Sequence, residues 1–175
     1  DGSMMGFGQY LWLLQQFLYA RGHGLVAAWI SSLTWNSLGY PENWACQPDE
    51  RTAINDFLFG QQVKDLFILS GDAHMLAIDD GANADFSSAL SLAYRYPIFQ
   101  AAAISRNGSY KGGNFNQGGV FPNPGEWIGQ FGEVKVEDDG DEVCISFNGY
   151  RTDSMSAAIN LVNQYTFCRA PGPVV

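Results

Sequence analysis

Basic residues are scarce in this chain. Lysine and arginine together number 9 among 175 residues, against 18 aspartates and glutamates, for a formal charge of −9. A surface of that sign repels the nucleic-acid backbone, so no DNA- or RNA-binding surface is expected. A phosphate substrate stays compatible, because divalent metals held by carboxylates reverse the local sign. Cysteine is scarce too. Cys46, Cys144 and Cys168 are too few and too scattered for a disulfide framework or a zinc cluster. Their odd number leaves one thiol over, or paired with an external partner, so the composition points to no compartment. Long apolar runs are missing as well. The longest are broken by Gln15 and Gln16 or by Ser31 and Ser32, well short of the ~20 residues of a membrane span. No signal peptide is visible. The chain starts at Asp1 rather than at methionine, and the expectation is that natural sequence precedes it.

What is abundant is apolar: 46% of residues are hydrophobic and only 15% charged, which excludes disorder and supplies a core. Phe7, Leu11, Leu14 and Leu18 recur at helical spacing, with Tyr10, Trp12 and Phe17 widening the face. This predicts a helix over residues 6–21, stopped at Gly22-His23-Gly24. The continuous apolar run 25–30 predicts a strand buried on both faces. Residues 32–49, rich in Pro, Asn, Ser and Trp, read as a long loop. A second helix starts near Asp49 with Ala53, Ile54, Phe57 and Leu58 inward, and residues 66–69 form another buried strand. Helix, strand, loop, helix, strand is an α/β signature. From Met75 onward short strands alternate with Gly- and Asn-rich turns. Residues 132–136 and 143–147 flank Asp138-Asp139-Gly140 as a hairpin. With no repeat and no linker, residues 1–175 read as one domain.

The segment Phe67-Ile68-Leu69-Ser70-Gly71-Asp72-Ala73-His74 carries the most chemistry. A buried strand ends at a glycine, and an Asp and a His follow two residues apart. Ligands bind at the carboxyl ends of strands in α/β sheets. Gly71 allows a sharp turn, and the i, i+2 spacing aims Asp72 and His74 at neighbouring metal ions. Carboxylate with imidazole suits Zn, Mn or Fe. The alternative is structural: a turn Asp capping a helix, beside a histidine bonded to backbone.

Five ordered segments resemble the PhoD-like alkaline phosphatases, a branch of the calcineurin-like metallophosphoesterases. Met5-Gly6 with Gln9, Trp12 and Leu13 is similar to the family's M-x-G/L-G-x-x-Q-x-x-W-L opening. The strand 25–30 runs into Ser31-Ser32 and Trp35, and Trp44 with Glu50-Arg51 resembles W-x-x-Y-x-x-E-R. Leu69-Ser70-Gly71-Asp72-Ala73-His74 resembles L-S-G-D-x-H. Finally, Gly108-Ser109-Tyr110-Lys111-Gly112-Gly113 and Gly129-Gln130-Phe131-Gly132 are similar to G-S-x-K-G-G and G-Q-Y-G.

The resemblance implies the C-terminal part of a four-layer α/β/β/α sandwich, with a mixed sheet and a C-terminal β-hairpin. It implies hydrolysis of phosphate mono- or diesters by a metal-activated hydroxide at a two-metal site, with Fe, Mn, Zn or Ca as candidate ions. Asp72 and His74 correspond to its last ligand element. Arg51 either braces the site or binds phosphate, or is an ordinary Arg paired across the fold beside a helix-start Glu50. Gln47 stands where the family pattern has Tyr. The family's earlier Asp and Asn ligands have no counterpart and would precede Asp1, in a missing N-terminal half of the same domain. The alternative function is a non-catalytic remnant or interaction module of the same fold.

Other features favour structural readings. His23 sits at a helix end. Lys111-Gly112-Gly113 lacks the strand-to-helix setting of a phosphate loop. Asp79, Asp80 and Asp85 read as a solvated turn, and Asp138, Asp139, Asp141 and Glu142 as a solvated hairpin tip. Trp12 and Trp29 read as core rather than as part of a carbohydrate site formed with Trp35, Trp44 and Trp127.

Overall fold

The computed structural model describes residues 3–38, 43–88, 96–111, 113–120, 129–153 and 156–170; Trp127 and Gly112 lie outside them. Helix α1 (Phe7–Gly22) leads into strand β1 (Ala27–Ser31), a single 3-10 turn (Trp44–Cys46) and helix α2 (Pro48–Gly60). Strands β2 (Leu66–Ser70), β3 (Leu76–Asp79), β4 (Ile98–Gln100) and β5 (Gln117–Val120) follow. The last three are β6 (Gln130–Asp138), β7 (Val143–Thr152) and β8 (Ile159–Arg169). Helix α1 stops where expected, with the His23 N–H bonded to Tyr19 O and Ala20 O. Helix α2 opens on Pro48, with Asp49 and Glu50 in its first turn to complement the helix dipole.

The first sheet has the order β1-β2-β4-β3-β5. Strands β1, β2 and β4 run parallel, and β3 is antiparallel to both β4 and β5. Strands β6, β7 and β8 form a separate antiparallel sheet. One face of the first sheet packs on the helices, through Leu13 and Phe17 of α1, Ile54 and Leu58 of α2, and Trp29, Leu66, Ile68 and Ile98 below them. Its other face packs on the second sheet, where Phe67 and Phe99 meet Ile145, Phe147 and Phe167. Phe99 stacks on Phe147 at 4.7 Å between ring centroids. Each such ring contributes about 1.5–3 kcal/mol by leaving water. The class is mixed α/β, and the described residues make three layers, α/β/β.

Several expectations need correction. Strand β1 is not buried on both faces: among the described residues it is an edge strand paired only with β2, and Ala28 and Ile30 are exposed. Its run of apolar residues is therefore no proof of a central position. Ala53 faces outward, whereas Ile54, Phe57 and Leu58 face the core as expected, joined there by the buried Arg51 and Asn55. Trp29 is core, but Trp12 is 56% exposed.

Asp79 is fully buried rather than solvated. Its carboxylate accepts hydrogen bonds from the Gly81 and Asn83 N–H groups and from Asn83 Nδ2, which satisfy the charge. Cys144 and Cys168, directly opposed in the β7–β8 register, form a disulfide, while Cys46 is exposed and lies outside this pair. A pairing set by strand register is invisible to cysteine spacing. The hairpin of β6 and β7 is as expected, with Asp138 opposite Val143.

Candidate functional site

Asp72 and His74 lie on the turn between β2 and β3, at the carboxyl ends of the parallel strands. Ser31, Ser70 and Gln100, the last residues of β1, β2 and β4, stand side by side in register. Strand β3 does not return beside β2. It pairs beyond β4, so the 71–75 turn crosses the end of β4.

Two tight turns make that crossing. The Ala73 N–H bonds Gly71 O at 2.8 Å around Asp72, and the Met75 N–H bonds Ala73 O at 2.8 Å around His74. The left-handed residue is Asp72, at φ 68°, rather than the glycine. A three-residue turn with positive φ at its centre is rare and strained, costing on the order of 1–3 kcal/mol. A side chain at Gly71 would crowd the turn, since a Cβ there would lie 3.2 Å from Ser32 O.

Neighbouring segments hold this turn. Gln100 Nε2 donates to Gly71 O (2.8 Å) and to Ala73 O (3.1 Å), and Thr34 Oγ1 donates to Gly71 O (3.2 Å). Ser109 Oγ accepts from the His74 N–H at 3.2 Å. His74 Nδ1 lies 2.9 Å from the carbonyl oxygen of Asn107. A carbonyl only accepts, so Nδ1 carries the proton, and in the neutral ring Nε2 keeps its lone pair. The backbone-bonded histidine of the structural alternative is thus present, in the tautomer that also leaves a metal-binding nitrogen.

Asp72 is exposed, and Lys111 Nζ lies 3.5 Å from its Oδ2. A partly exposed pair of this kind contributes about 0–1 kcal/mol. Its interest is therefore position: it sets a cation beside the carboxylate at the strand ends. Read as sequence, Lys111 belongs only to a turn; its approach to Asp72 comes from the docking of residues 107–111 beside the strand ends.

The donor set of one carboxylate and one imidazole nitrogen fits two positions in the shell of a transition metal. Among the described residues no third Asp, Glu, His or Cys joins them. The one such cluster of three, Glu142, Cys144 and Cys168, contains the disulfide pair.

Arg51 is not at this turn. It is buried under the loop after β1, with Nη1 donating to Trp35 O (3.0 Å) and Ser37 O (3.1 Å). Its guanidinium lies over the Phe86 ring, 3.6 Å from the centroid. Burial lowers its pKa to about 10. Glu50 accepts from the Met4 N–H and Ser3 Oγ and so ties down the segment before α1. The sequence reading missed Gln100, Thr34 and Asn107, because polar residues far apart in the chain carry no mark of their meeting.

No protein-family model matches this chain, and no curated protein does. Among solved structures, that of PhoD is similar, with a TM-score of 0.54 at 14% identity. The match covers 95% of this chain and 33% of the PhoD chain. The chain therefore has a PhoD-like fold and spans about a third of the length of that protein.

Proposed function

We propose that this chain is the C-terminal part of one metal-dependent phosphoesterase domain, acting on phosphate mono- or diesters. The observation that carries the reading is the G-D-x-H turn at the carboxyl ends of three parallel strands in a PhoD-like fold. Asp72, through its carboxylate, and His74, through Nε2, would hold a metal. The ion, when bound, supplies charge neutralisation at phosphorus and activation of water. Asp72 and His74 fix its position. Lys111, beside Asp72, is set to turn to a phosphate oxygen. Arg51 holds the loop after β1 from beneath and acts on the site through that loop.

Two ligands are too few for two ions, and the remaining ones belong to a further part of the same domain. A specific surface supports this. The outer edge of β1, unpaired among the described residues, borders a groove of about 310 Å³ lined by Met5, Gln9, Trp12, Leu13 and Ile30 among others. Trp12 and Ile30 are 56% and 76% exposed there, and α1 carries a single charged residue, Arg21. A helix apolar on most of its circumference and an unpaired edge strand are features that other polypeptide normally covers.

In a longer protein that includes the remaining ligands, Asp72→Ala abolishes metal-dependent hydrolysis of an aryl phosphate. Undiminished turnover would remove Asp72 from the mechanism. The second reading, a non-catalytic interaction module, draws on the same exposed face. It gains if the longer protein binds no metal.

A further inference from the structure

The turn that carries Asp72 and His74 is strained and crosses from one strand to another that is not its neighbour. Something must hold it. Strand β4 is inserted between β2 and β3, and its last residue, Gln100, lies beneath the crossing. We propose that Gln100 is the positioning residue of this centre, its one carboxamide fixing the peptide planes that enter both Asp72 and His74. This inference rests on the reading of that turn as the reaction centre.

The geometry is specific. Gly71 O belongs to the peptide plane preceding Asp72, and Ala73 O to the plane preceding His74. Each is also the acceptor of one of the two tight turns. Gln100 Nε2 has two hydrogens and places one on each of these carbonyls. With both planes fixed, Asp72 is held at φ 68°, and the His74 ring is delivered to the Asn107 carbonyl.

The orientation of the amide follows, because only its NH2 end can face two carbonyl oxygens. Gln100 is fully buried, and its Oε1, turned away, meets no hydrogen-bond partner among the described residues. A residue that only filled space would do better as Leu or Met, which bury no orphaned oxygen. A buried glutamine with both donors used and its acceptor unused is explained by what the donors hold. Thr34 shares Gly71 O, but of the two side chains only Gln100 reaches both carbonyls.

A double-mutant cycle tests this on the metal-free chain. Gln100→Met keeps length and removes both donors, and Asp72→Gly removes the penalty of positive φ. Gln100→Met is expected to lower Tm by about 4–8 °C, and by less than half of that in the Asp72→Gly background. In the single variant the His74 ring nitrogens should change from one Nδ1–H tautomer to an averaged spectrum. The same variant of the longer protein should lose about 10-fold or more in Mn²⁺ affinity.

Equal Tm losses in both backgrounds with an unchanged His74 spectrum would make Gln100 a core filler and overturn the proposal. If Gln100→Met does not fold, hydrogen exchange of the wild-type chain decides. Ala73 and Met75 amides protected well above random-coil rates support the clamp, and unprotected amides refute it. The phosphoesterase reading fails by a different result, undiminished turnover of Asp72→Ala.

Discussion

Gly113→Ala probes how firmly Gly113 and residues 107–111 are docked beside the strand ends. Gly113 has φ 98°, and a Cβ built on it would lie 1.7 Å from Asn36 O and 2.6 Å from Asn36 C. Asn36 has no room to yield. It is almost wholly buried, and its Nδ2 donates to Asn114 O at 3.0 Å. Its predecessor Trp35 is fully buried, with its carbonyl bound by Arg51. The backbone at Gly113 must therefore lift away.

The left-handed conformation costs alanine roughly 1–2 kcal/mol, and forced repacking adds about 1–3 kcal/mol. The sum, roughly 2–5 kcal/mol, corresponds to a Tm loss of about 5–15 °C for a chain of this size. Urea unfolding measures it. Gly140→Ala is the control, because Gly140 has φ 89° but no atom within 4 Å of the added Cβ. It should show only the conformational part. Lifting of the segment should also release Lys111 from Asp72 and Asn107 from His74, seen as a change in the His74 ring resonances. Equal, small losses for Gly113→Ala and Gly140→Ala would refute the close docking and, with it, the support that Ser109 and Asn107 give the site.

Reduction of the Cys144–Cys168 disulfide, which spans a sequence separation of 24, should cost roughly 3 kcal/mol. Cys46→Ser should leave that loss unchanged in a thermal melt with and without dithiothreitol. Burial raises the Tyr96 hydroxyl above its ordinary value of 10.0. Its neutral form is favoured in the fold, so its contribution is complete below pH 10 and is lost as pH rises beyond it. Arg51, lowered to about 10, acts in the opposite sense, since its loss of charge stabilises the fold at the same pH. The decisive reading is therefore the difference: stability should fall less steeply above pH 10 in Tyr96→Phe than in wild type, and parallel slopes would exclude Tyr96. Trp12→Glu with Ile30→Lys should convert an associating chain into a monomer by light scattering. A wild-type chain already monomeric at high concentration would show that the α1–β1 face needs no cover.

The local elements were legible in the sequence. The spacing of Phe7, Leu11, Leu14 and Leu18, stopped by Gly22-His23-Gly24, defined α1 to within a residue at each end. The run 66–69 and the Asp138-Asp139-Gly140 turn defined β2 and the β6–β7 hairpin. Each rests on side-chain periodicity or turn chemistry, which neighbouring residues set among themselves. The end of β2 at Gly71 was legible for the same reason, but the left-handed residue of the turn proved to be Asp72 rather than the glycine.

What only the tertiary structure decided depends on strand order and register. Insertion of β4 between β2 and β3 brings Gln100 beneath a turn 28 residues earlier than itself. The β7–β8 register opposes Cys144 to Cys168, and the outer position of β1 leaves Ile30 exposed although its sequence is that of a central strand. Hydrophobicity states that a residue gains by leaving water, but which neighbour covers it is a property of the assembled sheet.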